Sequence, residues 1–86
     1  MMFSPAADQI PSIVEVLIEL NQDSGIPKNV KFKLNNVISI LNGKEDASVK
    51  ANKALVVLDE VSEDSNVQTY LRTDLLNVVS MLSKIN

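Results

Sequence analysis

Two stretches decide how this chain is built: VLIELNQDSGIPKNVKFKLNNVISILN at residues 16–42 and VLDEVSEDSNVQTYLRTDLLNVVSMLS at residues 57–83. They align without a gap, and ten of the 27 positions are identical. Val16, Leu17, Glu19, Asp23, Ser24, Leu34, Asn36, Val37, Ser39 and Leu41 meet Val57, Leu58, Glu60, Asp64, Ser65, Leu75, Asn77, Val78, Ser80 and Leu82. Leu20/Val61, Ile26/Val67, Val30/Leu71, Lys31/Arg72 and Ile38/Val79 are conservative pairs. Helical periodicity alone would match the apolar positions. It would not match Glu19/Glu60, Asp23-Ser24/Asp64-Ser65 or Asn36/Asn77, so the pattern reads as an internal repeat of one helix–turn–helix hairpin.

Working outward, the chain carries four apolar stripes at helical spacing and no strand alternation. The first holds Ile10, Ile13, Val14, Leu17 and Ile18, with Ser4-Pro5 as a potential start and Pro11 either opening the helix or kinking it. The second holds Val30, Leu34, Val37, Ile38 and Leu41, opening at Pro27 and closing at Asn42-Gly43. Ala47, Ala51, Ala54, Leu55, Leu58 and Val61 form the third, with Asp46 as the expected N-cap. The fourth holds Val67, Leu71, Leu75, Val78, Leu82 and Ile85. Short turns make neighbouring helices antiparallel, so the expected fold is all-α: a four-helix bundle of two duplicated hairpins, in one domain spanning 1–86. The alternative is two stacked HEAT-like hairpins. It rests on the Leu-x-x-acid…Asp-Ser…Val/Leu-Lys/Arg pattern and on a third echo at Asp46-Ala47-Ser48-Val49-Lys50. Two hairpins fall short of the three or so repeats a solenoid needs, which favours closure.

Several segments carry a closer likeness: Ile26-Pro27-Lys28-Asn29-Val30-Lys31, Val49-Lys50-Ala51, Leu58 through Val67, and Leu71-Arg72-Thr73. Over most of its length the chain resembles an archaeal family of short proteins of uncharacterised function. It departs from that family's pattern at Ser65 and Gln68, where prolines are common. The resemblance implies a compact helical bundle and a cytoplasmic archaeal setting, and it supplies no activity to borrow.

Composition narrows the function classes. The 86 residues contain no Cys, His or Trp, which removes the usual zinc ligand sets, thiol nucleophiles, Ser-His-Asp triads and disulfides. Eleven Val, ten Leu and seven Ile carry the apolar mass against two Phe and one Tyr. A core of this kind has no large aromatic anchor, and a chain this short has little margin over chain entropy. The longest apolar run, Ala54–Leu58, is far short of the roughly 20 residues of a membrane helix. Met1-Met2-Phe3-Ser4-Pro5 lacks the charged and apolar regions of a secretory signal. A cytoplasmic, membrane-free protein is the expectation. The net charge of −3 is dispersed, and a general nucleic-acid coat would need a basic patch.

Candidate residues are few. Phe32 lies about 200° around its helix from Val30 and so faces away from the apolar stripe. Val49 and Val56 make a second stripe on the third helix, seven residues apart. Leu76 stands opposite the fourth stripe, where the first half has Asn35. Together Phe32, Val49, Val56 and Leu76 are a candidate interaction surface for a protein partner or a homodimer, against ordinary surface scatter. Lys28, Lys31 and Lys33, with Arg72, are candidate contacts to an anion, a nucleic acid or an acidic partner, against a plain solvated face. Asp23 precedes Lys31, and Asp64 precedes Arg72, by eight residues. These charges read either as a partner-binding edge or as turn carboxylates paired with the following helix. No catalytic, cofactor or metal residues are expected: Glu15, Glu19, Asp59, Glu60, Glu63 and Asp64 lack a His partner, and only Gly25 and Gly43 are available for a phosphate loop. The expectation is a small non-catalytic interaction or scaffolding module.

Overall fold

In the computed structural model, which describes residues 5–85, each apolar stripe forms one helix, except that Val67 and Ile85 of the fourth lie in the turns flanking it. The helices are α1 (Pro5–Asn21), α2 (Lys28–Leu41), α3 (Ala47–Ser62) and α4 (Thr69–Ser83), and the described residues contain no strand. Helix α1 packs on α2, α2 on α3, α3 on α4, and α4 back on α1. That ring is an up-and-down bundle. Stacked hairpins would bring α2 against α4, and no such packing is present among the described residues. The rod measures 43 × 19 × 19 Å.

The core is aliphatic throughout. Ile13, Leu17, Leu34, Leu41, Leu58, Leu82 and the valines at 30, 37, 61 and 78 are its most deeply buried large side chains, and no buried polar residue occurs among the described residues. Ala51 and Ala54 are fully buried in α3, where small side chains permit close helix approach. Ile26 and Val67 close the core at the end holding the two hairpin turns, and Ile85 closes the other.

Helix starts differ from expectation in detail. Pro11 lies inside helix α1, so that residue does not open the helix. Ser4 lies outside the described residues. Asp46 occupies the N-cap of α3, yet its carboxylate makes no capping bond; its carbonyl instead accepts from the Lys50 amide at 2.9 Å. Pro27 and Gln68 cap α2 and α4 the same way, through carbonyls that accept from Val30 and Lys31 and from Leu71 and Arg72. Ile18 was expected in the first stripe and is 42% exposed, while Leu20 is buried. At 100° per residue, Ile18 falls about 100° from the centre of the buried face and Leu20 only about 55°.

Truncation should separate the two faces of this rod. Leu58→Ala, at a fully buried position, is expected to cost about 2–5 kcal/mol. Ile18→Ala should cost under about 1 kcal/mol, because its methyls already meet water. Urea denaturation midpoints at constant m-value are the measurement.

Candidate functional site

The two hairpin turns share one end of the bundle, and they are built alike. Asp23 and Asp64 each receive a backbone amide two residues on: Gly25 to Asp23 Oδ1 at 2.7 Å, and Asn66 to Asp64 Oδ1 at 2.8 Å. Such Asx turns replace helix hydrogen bonds that the chain gives up on reversing. The amides of Ile26 and Val67 then donate to the carbonyls of Asp23 and Asp64, both at 3.2 Å.

Each carboxylate is also held from the opposite hairpin. The Tyr70 hydroxyl donates to Asp23 Oδ1 at 3.0 Å, and Asn29 Nδ2 donates to Asp64 Oδ2 at 2.8 Å. Asn29 and Tyr70 stand at matching positions of the two aligned stretches, 41 residues apart, so the bundle end is closed by a reciprocal clasp. Neither the Asp23–Lys31 nor the Asp64–Arg72 side-chain pairing suggested by spacing is formed among the described residues. Arg72 donates instead to the Asp64 backbone carbonyl at 2.9 Å. Gly25 makes room for the larger arm of the clasp: a Cβ there would stand 2.9 Å from the Tyr70 hydroxyl and 3.1 Å from Asp23 Oδ1. At the matching position Asn66 has a Cβ, and the reaching side chain is the shorter Asn29.

The clasp shifts two acidities in opposite directions. Hydrogen bonds from the Asn66 amide and Asn29 hold the Asp64 carboxyl below its ordinary 3.8. The bond to Asp23, followed by desolvation and the negative charge of that carboxylate, pushes the Tyr70 phenol above its ordinary 10.0.

Grooves beside the clasp break the likeness between the halves. Lys33 lies 3.7 Å from Glu60 in the groove between α2 and α3. The equivalent position in α4 is Asp74, which lines the α1–α4 groove with Glu19 and Asp23. One groove is charge-paired and the other is acidic. No group of three or more acidic residues is placed to hold a metal ion among the described residues.

The expected interaction residues are all on the surface, though not in one patch. Val56 is 62% and Leu76 60% exposed, and they line one groove between α3 and α4 with Leu55, Val79, Asn52, Asp59 and Ser62. Val49 lies one heptad before Val56 on the same helix and is 38% exposed. Phe32, 75% exposed, sits apart on α2 beside Lys33, Asn35 and Asn36. The matching groove of the first hairpin carries a polar bridge, Asn21 Nδ2 to Asn35 Oδ1 at 2.8 Å, where the second hairpin has Ser62 and Leu76. Of the four candidate cations, Lys33 is paired with Glu60 and Arg72 with a carbonyl. Spacing alone missed the clasp and the acidic groove; comparing residues across the repeat offset would have flagged Asn29/Tyr70 and Lys33/Asp74.

A family model described as an uncharacterised protein family, UPF0147, matches residues 2–85. The chain belongs to the UPF0147 family. Among its relatives, the UPF0147 protein of Pyrococcus abyssi is 33% identical over 84 residues, covering 95% of this chain and 98% of the relative. That of Methanosarcina acetivorans is 29% identical over 86 residues, covering 99% and 89%. The crystal structure of the protein of unknown function MMP1188 superposes with a TM-score of 0.88 at 31% identity, covering 100% of this chain and 98% of that one. A UPF0147 structure from Thermoplasma acidophilum gives 0.87 at 28% identity, covering 96% and 100%. The archaeal family expected from the turn motifs is therefore the right one. The described residues form helices and turns, and no helix among them is long and apolar enough to cross a membrane.

The clasp makes its own predictions. With one Tyr and no Trp, the ultraviolet phenolate signal reports Tyr70 alone. Its midpoint should lie above 10.0 and fall back towards 10.0 in Asp23→Asn and in Gly25→Ala. Because the fold favours the neutral phenol, Tyr70's contribution to stability is whole below pH 10.0 and is lost as pH rises through the raised value. Asp64 behaves oppositely. Its contribution is whole above pH 3.8 and is lost as pH falls through the lowered value, and Asn29→Ala should move the carboxyl back towards 3.8 by NMR titration.

Proposed function

We propose that this protein is a small non-catalytic interaction module that contacts its partner through the α3–α4 face carrying Val56 and Leu76. The observation that carries this reading is their shared exposure in one groove, at positions where the first hairpin has Glu15 and Asn35. An apolar pair that a repeat has at one copy and replaces with polar residues at the other is not demanded by the bundle. Two antiparallel helices with apolar residues between them suit a third helix laid in the groove. We infer that the two hairpins arose by duplication of one unit, supported by the ten identities and by turn hydrogen bonds that recur at the same offset.

The charge arrangement gives less support to nucleic-acid or acidic-partner binding through Lys28, Lys31, Lys33 and Arg72. Two of those four groups are occupied within the fold, and the protein carries net charge −3. Neighbouring Glu19, Asp23 and Asp74 would repel a polyanion approaching the turn end.

The experiment compares affinity captures from native extract with wild-type bait, Val56→Glu/Leu76→Asp and Phe32→Ser. Proteins bound by wild type and Phe32→Ser but lost by the double variant are the expected result. An identical set on all three baits overturns the assignment of the surface.

A further inference from the structure

Building on the α3–α4 reading, we propose that the partner is a second copy of this chain, docked antiparallel along the outer face of α3 about a two-fold axis near Val56. The outer face of α3 has a heptad order that α1 lacks. Val49 and Val56 form its apolar line, Lys53 and Glu60 follow one flank, and Asn52 and Asp59 the other. The positions 41 residues earlier hold Asp8, Glu15, Ser12, Glu19, Pro11 and Ile18, so neither the apolar line nor the Lys/Glu alternation occurs on α1.

The charges on this face are complementary to themselves in one orientation only. Lys53 and Glu60 are seven residues apart on one flank, and the point midway between them falls beside Val56. Rotating a second copy about that point sets Val56 against Val56 and brings each Lys53 opposite the partner's Glu60, twice over by symmetry. A parallel arrangement would set this flank against the opposite one, with Glu60 beside the Asp59 of the second copy and Lys53 beside its Asn52. Flanking charges of this kind are what set orientation in paired helices.

Both groups keep capacity for a second partner beside the one each already has. Lys53 and Glu60 are each more than half exposed. Lys53 bonds Glu45 at 2.8 Å, but an ammonium has three donors, and Lys33 approaches Glu60 only to 3.7 Å. Leu76, exposed across the groove, extends the apolar contact to α4. Helix α3 is only about 24 Å long. The face is thus small beside the roughly 800 Å² per partner of a standard interface, so a micromolar pair is expected.

Sedimentation equilibrium on the purified chain tests this, with circular dichroism confirming that each surface variant is folded. Wild type should be mostly dimeric at about 100 μM, where a micromolar pair is assembled. Val56→Glu should weaken association at least about tenfold by burying two charges at the axis. Lys53→Glu and Glu60→Lys should each weaken it about two- to tenfold, and the doubly reversed chain should recover most of the loss. Recovery discriminates sharply, because both intramolecular pairs, Lys53–Glu45 and Lys33–Glu60, stay broken in the double variant. A wild-type monomer at that concentration overturns the self-pairing, while the extract capture independently decides the wider interaction reading. A dimer indifferent to Val56→Glu, or one not restored by the double reversal, overturns the proposed face and register respectively.

Discussion

Everything in this bundle depends on burying one branched aliphatic stripe from each helix in a core that contains no polar side chain among its described residues. That core supplies the driving force, about 25 cal/mol for each square ångström of apolar surface removed from water. It is weak at fixing register, since Leu, Ile and Val surfaces can slide past one another at modest cost where no buried polar group penalises the shift. Register must then be set at the ends. The turn carboxylates Asp23 and Asp64 do this, each accepting an amide from its own turn and a side-chain donor from the other hairpin.

The clasp also explains how two similar hairpins become one asymmetric object. Equivalent positions reach in opposite directions, but with unequal arms: a phenol over a glycine on one side, a carboxamide on the other. Once the turn end is locked, differences along the flanks acquire fixed places in space. Lys33 pairs with Glu60, and its counterpart Asp74 joins Glu19 and Asp23. Asn35 bridges the groove of one hairpin through Asn21, and Leu76 makes the other apolar. The exposed apolar groove thus lies on the second hairpin.

Much of this was legible in the chain. The stripes at Val30–Leu41 and Leu71–Leu82 gave helices with nearly the observed limits, because a 3.6-residue period of aliphatics has no other efficient way to be buried. Phe32, Val56 and Leu76 were legible as outward-facing for the same reason. Ile18 was misread because a run of three apolar residues, Val16-Leu17-Ile18, spans more of the helix circumference than the core can cover. Asp46 was rightly placed at a helix start, but a residue type suited to capping does not oblige the carboxylate to turn inward. The Asp–cation spacing misled too, since in a turn the nearest strong donors came from across the bundle rather than along the chain.

Period, turn chemistry and the 41-residue offset are properties of local sequence, and they determined four helices, their antiparallel order and the likeness of the two halves. Which helices touch is a matter of three-dimensional closure: the choice of α4 against α1, rather than α2 against α4, makes a bundle instead of a stack. The same closure decided that Tyr70 meets Asp23 and Asn29 meets Asp64, pairs 47 and 35 residues apart that no local rule connects. It also gathered Val56 and Leu76 into one groove while leaving Phe32 alone. Sequence specifies which side chains must leave water; only the folded geometry decides which of the remaining ones become neighbours.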